Sequence, residues 1–235
     1  MSALLGACGG RRRSTGTITA LYVIPHQDDE ILTTGSAIMA DVAAGEVVGV
    51  LLVTDGGAVP VYNKLAVKLG YTPTRAEVVA HRDAEFTEGV TRMGGIPIIP
   101  HDRIPDGSST VAGVRALIEA NGHSGLKLRG TAPTDYHGDH TAVGDAIVAL
   151  ASEEWGTDHR LMLSGERKVS HAPAGVIMQQ MGSHGDIAAY HQWPYKEFDP
   201  DNGWWGVAYL DIARSFDYMI TSDGATYWYP PSDAP

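Results

Sequence analysis

Unbroken apolar runs alternate with segments of helical periodicity over the first 165 residues of the chain. Residues 17–24 and 47–53 are rich in aliphatic and β-branched side chains, which is typical of strands buried on both faces of a sheet. Between them, residues 31–44 have the apolar spacing of a helix and stop at Gly45, a residue that favours helix termination. This alternation predicts an α/β chain with a Rossmann-like layered fold. A mostly parallel sheet is flanked by helices, and the ligand site lies at the carboxyl ends of the strands.

The same alternation continues further along the chain and then weakens. Residues 58–72 are predicted to be a mobile segment, and beyond residue 164 the pattern is less regular and rich in aromatic residues. Since no internal repeat or low-complexity linker interrupts the chain, we predict a flexible tail over residues 1–16 and a single α/β domain over residues 17–235. Further helices are predicted at 74–93, 111–120 and 141–154, and extended segments at 96–99, 126–128, 161–163, 218–221 and 227–229.

Composition removes several classes of function. The chain of 235 residues carries 28 acidic and 17 basic residues, a formal net charge of -11, so it lacks the basic surface that follows a nucleic-acid backbone. No apolar run approaches the ~20 residues of a membrane-spanning helix. The single cysteine, Cys8, excludes an intrachain disulfide and a thiolate cage for zinc. Any bound metal must therefore be held by imidazole and carboxylate groups.

Cys8 also bears on localisation. The sequence before it resembles the cleavage box of a bacterial lipoprotein, but only seven residues precede it and the arginines at 11–13 follow it. A loose tail and a cytoplasmic location are favoured. A lipidated or secreted form would follow if the true start lay upstream.

A histidine and three consecutive acids stand where the first strand gives way to a helix: His26, Asp28, Asp29 and Glu30, with Gln27 between them. Three adjacent carboxylates repel one another unless a helix N-terminus or a cation supplies positive potential. One interpretation is that the acids only cap the helix and His26 is a polar loop residue. The other is a metal site.

A second histidine pair changes that balance. His137 and His140 lie three residues apart at a predicted loop-to-helix junction. In a parallel sheet this junction lies at the same edge as the first motif and as Asp55, which follows the second strand. Two histidines and nearby aspartates at one edge indicate a site for a divalent ion, with zinc the first choice.

Five segments follow one another at the predicted strand ends and on the helix between them: Pro25-His26-Gln27-Asp28-Asp29-Glu30, Thr54-Asp55-Gly56, Arg82-x-x-Glu85 with Met93-Gly94, Pro105-Asp106-Gly107 and His137-Gly138-Asp139-His140. In order and spacing they resemble the motifs of the LmbE-like, or PIG-L, family of zinc-dependent N-acetylglucosaminyl deacetylases. The resemblance covers roughly residues 17–165. The sequence departs from the family at Gln27, where proline is usual, and after residue 165, where the usual terminal pattern is not found.

The resemblance implies roles for five of these residues. His26, Asp29 and His140 would bind Zn²⁺, Asp28 would be the general base, and His137 would face the oxygen of the substrate amide. Three protein ligands leave coordination positions open, as in a catalytic zinc site. Zinc acidifies a bound water and polarises a carbonyl, Asp28 would move the proton, and a protonated His137 would stabilise the oxyanion.

Other candidates have ordinary alternatives. Asp55 either orients a ligand histidine or makes an Asp-Gly turn. Arg82 is by default a surface ion-pair partner of Glu85, and the family pattern makes it a candidate for contact with a substrate hydroxyl. Asp106 is a similar candidate, with turn formation as its alternative, and Tyr136 could assist at the amide or simply pack. The C-terminal aromatics could stack on a sugar ring but are more often core residues.

The sequence therefore favours an enzyme, a zinc hydrolase that deacetylates an N-acyl amino sugar or glycoconjugate. A zinc hydrolase of another amide or an ester is the alternative within the same class. Outside that class stands a non-catalytic sugar- or nucleotide-binding protein, supported only by the glycine-rich loop at residues 54–57. The sequence leaves the acyl group, the sugar and the oligomeric state open, including a homo-oligomer.

Overall fold

A computed structural model describes residues 16–183 and 185–235 of the chain. Residues 1–15 of the predicted tail, Cys8 among them, lie outside the described residues, so the expectations placed on them are not addressed. Within the described part, no helix is both long enough and apolar enough to span a bilayer.

Seven strands form one mixed sheet in the order β3-β2-β1-β4-β5-β7-β6. β1 to β5 run parallel, β7 is antiparallel to β5, and β6 is antiparallel to β7. The predicted mostly parallel α/β fold is therefore confirmed. The strands are β1 (Ala20–Ile24), β2 (Val48–Leu52), β3 (Ile96–Ile98), β4 (Lys127–Thr131), β5 (Arg160–Ser164), β6 (Gln179–Met181) and β7 (Thr226–Tyr229).

Helices cover both faces of the sheet. They are α1 (Asp29–Leu32), α2 (Gly35–Ala43), α3 (Tyr62–Leu69), α4 (Arg75–Arg92), α5 (Val111–Asn121), α6 (Gly138–Ser152), α7 (Lys168–His171), α8 (Ala189–Lys196) and α9 (Val207–Thr221). Side chains of β1 alternate between the two layers because successive residues of a strand point to opposite faces. Tyr22 packs in the layer that includes α2, α4, α8 and α9, and Leu21 packs in the layer that includes α5 and α6.

The structure corrects several details of the predicted elements. The helix expected over residues 31–44 is two helices, α1 and α2. The segment expected to be mobile contains α3, whose Leu65 is fully buried. Residues 218–221 were expected to be extended but form the last turn of α9, in which Met219 packs in the core three residues after Phe216, at helical spacing.

Candidate active site

The site is built on two neighbouring strands. β1 and β4 pair in parallel, so the loops that follow them lie side by side. The loop after β1 carries His26 and leads into α1, which begins at Asp29. The loop after β4 leads to His137, which precedes α6 and accepts a hydrogen bond from the backbone of Asp139. His26 and His137, which are 111 residues apart in the chain, are thereby brought together.

One carboxylate oxygen lies between two imidazoles. Asp29 Oδ2 is 3.2 Å from His26 Nδ1 and 3.0 Å from His140 Nε2. Asp29 and His140 are buried, and His26 is only slightly exposed. His137 joins them, since His26, His137 and His140 offer ring nitrogens within 4.8 Å of one another. All five residues proposed from the sequence for the metal and the chemistry thus line one cleft.

Each of the two buried imidazoles is held from behind by an acid. His26 Nε2 lies 3.0 Å from Asp139 Oδ2, and His140 Nδ1 lies 3.1 Å from Asp135 Oδ2. Asp139 is fixed in turn by the backbone N–H groups of Gly107 and Ser109, each at 2.9 Å. An imidazole whose far nitrogen is bound to a carboxylate is the usual arrangement behind a metal-ligating histidine. Sequence reasoning assigned no role to Asp135 or Asp139, although both belong to the segment around His137.

The electrostatics of this cluster suit a cation. Burial opposes charge on His140, but Asp29 and Asp135 raise the pKa of that imidazole to about 9. Burial likewise opposes charge on His26, and hydrogen bonds to Asp106, Asp139 and Asp29 raise its pKa well above the usual value. Against the effect of its own burial, the charge of His140 and the hydrogen bonds from both imidazoles hold the pKa of Asp29 well below its usual value. The carboxylates therefore stabilise positive charge at this point.

The donor set fits a divalent ion. Donors that share one tetrahedral zinc at about 2.0–2.1 Å lie roughly 3.3 Å apart, close to the 3.2 and 3.0 Å that separate Asp29 from the two imidazole nitrogens. One carboxylate and two imidazoles are also a ligand type that zinc accepts. Two groups of described residues offer ligand atoms that all lie within 4.8 Å of one another, His26 with His137 and His140, and His26 with Asp106 and Asp139. Asp29 belongs to neither group, so the binding of one ion by His26, Asp29 and His140 stays a proposal.

Asp28 lies beside this triad with a different environment. Its Oδ2 accepts a hydrogen bond of 2.9 Å from Arg82 Nη2, which also donates to the backbone carbonyl of Gln27 at 3.0 Å. Burial raises the pKa of Asp28 to about 6, and Arg82 partly opposes that rise. A carboxyl that titrates near neutral pH can both accept and return a proton.

Arg82 and Glu85 do not form the surface ion pair expected by default. Both are buried, with 2% and 1% of their surface exposed. Arg82 turns to Asp28, and Glu85 accepts hydrogen bonds from the backbone N–H groups of Val207 and Ala208 at the start of α9. The expectation is wrong because α4 is covered by helices from the C-terminal part of the chain, which its own sequence does not reveal.

The chain matches a known protein family over more than half of its length. Residues 21–151, more than half of the chain, match the model of the PIG-L family, described as GlcNAc-PI de-N-acetylase. The chain belongs to the PIG-L family. No curated protein matches it significantly in sequence.

Solved structures of similar proteins share the fold of this PIG-L chain. A deacetylase of the teicoplanin biosynthesis pathway is 17% identical with a TM-score of 0.57, over 89% of this chain and 96% of its own. The N,N'-diacetylchitobiose deacetylase of Pyrococcus horikoshii is 15% identical with a TM-score of 0.55, over 91% of this chain and 84% of its own. The 4-carboxy-2-hydroxymuconate hydratase GalB of Pseudomonas putida is also 15% identical, with a TM-score of 0.50, over 91% and 97%. Fold likeness of this degree extends over nearly all of the chain and leaves the reaction open.

The remaining candidate residues of the PIG-L chain lie around the same cleft. Asp55 forms no hydrogen bond or ion pair with a histidine of the described residues. Its Oδ1 accepts from the backbone of Gly57 and Asp106 and from Arg75, as a turn-forming aspartate does. Asp106 Oδ1 lies 3.3 Å from His26 Nε2, so it faces the site directly. Tyr136 is 72% exposed at the rim, where its hydroxyl accepts a hydrogen bond from Arg167.

Glu30 is a site residue that sequence reasoning did not assign. It is fully buried, and its Oε2 accepts the backbone N–H of Asp28 at 2.9 Å. Its other carboxyl oxygen accepts a hydrogen bond from the hydroxyl of Tyr195 on α8. The backbone of Asp28 is therefore tied to the C-terminal part of the chain through Glu30.

The cleft itself has a volume of about 320 Å³. Its floor carries the histidines and the acids at 28 and 29, and one wall is formed by α9. Six carboxylates and two guanidinium groups line it: Asp28, Asp29, Asp106, Glu166, Asp211 and Asp223, with Arg82 and Arg167.

Proposed function

We propose that this PIG-L protein is a zinc-dependent N-deacetylase that hydrolyses the amide of an N-acetylglucosamine-type amino sugar or glycoconjugate. The observation that carries the proposal is the position of the Asp29 carboxylate between His26 and His140, with Asp28 beside it in the same cleft. Family membership and the fold shared with a deacetylase of the teicoplanin biosynthesis pathway and with an N,N'-diacetylchitobiose deacetylase support the reaction class.

His26, Asp29 and His140 would hold the metal. When bound, zinc supplies a nucleophile from water near neutral pH and polarises the acyl carbonyl. Asp135 and Asp139 keep the two imidazoles oriented by binding their far nitrogens at 3.1 and 3.0 Å. Asp28 directly precedes Asp29 in the chain, so the candidate base lies next to a candidate metal ligand.

Asp28 would act as the proton carrier of the reaction. It would take a proton from the attacking water and deliver it to the amine that leaves, a role suited to a pKa of about 6. Arg82 keeps the carboxylate in one orientation through its 2.9 Å hydrogen bond. The Asp28 backbone is fixed by Glu30, so neither the side chain nor the main chain of the base is free to turn.

His137 would stabilise the oxyanion. It lies beside the triad, with its ring centroid 4.7 Å from that of His26, and it is the most exposed of the three histidines. Its partial exposure to the cleft lets it meet a substrate oxygen, whereas His26 and His140 are enclosed by acids. Burial and the neighbouring charges of His26 and His140 lower the pKa of His137, which favours the neutral ring over the protonated one expected from the sequence. Because Nδ1 accepts the backbone N–H of Asp139, the neutral ring would donate to the oxyanion from Nε2.

Other functions fit the site less well. A non-catalytic sugar- or nucleotide-binding protein would not need a buried base beside a metal-competent triad. The hydratase GalB acts on a carboxylated substrate by its name, and a polyanion would meet six carboxylates against two guanidinium groups in this cleft. The same residues could also hydrolyse another amide or an ester. Only assays with different substrates distinguish these reactions from deacetylation of an amino sugar.

The test combines metal content with a single substitution. Purified without chelator, the wild-type protein should hold about one divalent ion per chain, and it should release acetate and a primary amine from N-acetyl amino sugars. Asp28→Asn should keep the metal and lose about 10²- to 10⁴-fold in kcat. Asp201→Asn, a change at an exposed aspartate, is the matched control. Absence of metal together with activity indifferent to chelation would reject the proposal.

A further inference from the structure

The wall of the cleft that faces the catalytic residues is one side of α9. Five of its residues line the cleft, on either side of a break in the helix at Ile212, whose backbone is non-helical. We call these residues the α9 stripe: Asp211, Ile212, Ser215, Tyr218 and Met219. Ile212 and Met219 give the stripe an apolar component. The polar members are Asp211, Ser215 and Tyr218.

The side-chain oxygens of these three polar residues are not used by the fold. The side chains of Asp211, Ser215 and Tyr218 form no hydrogen bond or ion pair with any residue that the structure describes. By contrast, Asp28 is bound by Arg82, and Asp223 by Lys168. The stripe therefore presents oxygens that are available to a ligand.

Asp211 is the charged member of the stripe and lies near the chemistry. It is partly buried, and this burial raises the pKa of its carboxyl while Arg82 opposes the rise. The carboxylate is thus within electrostatic reach of the guanidinium that holds Asp28. A group placed between α9 and the triad would meet Asp211 on one side and the reacting atoms on the other.

We propose that Asp211 is a specificity-determining residue that accepts hydrogen bonds from the hydroxyls of the substrate sugar, with Ser215 beside it. The α9 stripe then selects uncharged or amine-bearing acetamido sugars and rejects anionic ones. Carboxylates are strong acceptors for vicinal hydroxyls, and Ile212 with Met219 can cover the apolar C–H surface of a sugar ring. A phosphate or carboxylate on the sugar would be repelled by Asp211.

This inference rests on the proposed deacetylase function for its kinetic test. The test compares one neutral probe, N-acetylglucosamine, with one anionic probe, N-acetylglucosamine 6-phosphate. Both are assayed with the zinc-loaded wild-type protein and its variants. Asp211→Ala should raise KM for the neutral probe about 10- to 100-fold with kcat changed less than about threefold. Asp211→Asn should raise kcat/KM for the phosphate relative to the neutral probe about tenfold.

Asp217→Asn is the matched control. It makes the same change on the same helix, at a carboxylate whose side chain is 55% exposed and which contacts Lys196 and not the cleft. It should leave KM and the neutral-to-anionic preference unchanged. A wild-type KM and preference in both Asp211 variants would overturn the proposal.

Binding of glucosamine, the expected product, separates the two proposals. It is followed by titration calorimetry and does not depend on turnover. If no probe is hydrolysed but glucosamine binds and Asp211→Ala weakens that binding, the deacetylase function fails and the recognition role stands. If wild-type and Asp211→Ala proteins bind glucosamine equally, or neither binds it, the recognition role fails.

Discussion

Removal of one buried hydroxyl, by Tyr195→Phe, should weaken both the fold and the catalytic loop. Tyr195 is fully buried on α8, and its hydroxyl donates to the fully buried carboxyl of Glu30. Glu30 in turn accepts the backbone N–H of Asp28 at 2.9 Å. The substitution keeps the ring and deletes the oxygen through which α8 is hydrogen-bonded to Glu30.

The size of the effect follows from the packing around the hydroxyl. A Cβ built on Gly89 would lie 1.9 Å from the Tyr195 oxygen, so α4 and α8 are in close contact there. The space left by one oxygen atom is too small for a water to replace the donor. A buried carboxyl that loses a partner costs about 1–3 kcal/mol. About 2 kcal/mol corresponds to a fall in Tm of about 4–8 °C for a chain of this size.

Urea denaturation and thermal melting measure the stability, and steady-state kinetics measures the loop. Because Asp28 loses part of its backbone support, kcat should fall roughly tenfold under conditions in which the variant is fully folded. Tyr209→Phe is the matched control, since the hydroxyl of Tyr209 bonds to the exposed Asp217. It should cost less than about 0.5 kcal/mol. Equal effects of the two substitutions on stability and kcat would refute the reasoning.

Two further predictions concern buried charge. Burial raises the pKa of Glu85 to about 8 from 4.5, so between these values the folded protein keeps a proton that the unfolded chain loses. The contribution of this proton to stability is complete below pH 4.5 and is lost as the pH rises to about 8. Glu85→Gln should flatten this part of the profile of urea midpoint against pH, and an unchanged slope would contradict the prediction. Asp41→Ala should lower the free energy of unfolding by about 3 kcal/mol, because Asp41 accepts from Tyr22 at 2.7 Å and neighbours the buried Arg129. Urea denaturation measures the loss, and Glu119→Ala, at an exposed acid, is the control. An equal loss of unfolding free energy in the two variants would show that the buried Arg129 does not need Asp41.

The parts of the fold that could be predicted are those that sequence periodicity encodes directly. β1, β2 and the helix that begins near residue 141 are continuous apolar or amphipathic segments, so their type and place were predicted nearly correctly. The convergence of the motifs at 26–30 and 137–140 also followed, because parallel strands expose their carboxyl ends at one edge. These inferences need no knowledge of distant contacts.

The parts that could not be predicted depend on contacts between distant segments. Arg82 and Glu85 look like a surface pair until α8 and α9 are known to cover α4. The last turn of α9 resembles a strand because its residues are bulky, and the non-helical backbone at Ile212 interrupts the periodicity that would have revealed the helix. No local pattern identifies Tyr195 as the partner of Glu30, since 165 residues separate them.

The C-terminal third therefore completes a site that the family-matched segment begins. Residues 21–151 supply the triad, the candidate base and the acids behind the imidazoles. The later residues supply the hydrogen bond to Glu30 and the wall that carries Asp211. The first N–H groups of α9 donate to Glu85 on α4, one turn from Arg82, which binds Asp28. Helix α4 therefore positions both the candidate base and the wall of the cleft formed by α9. A change of substrate by mutation in α9 would thus leave the metal ligands in place, whereas a change in α4 would disturb the base and the wall together.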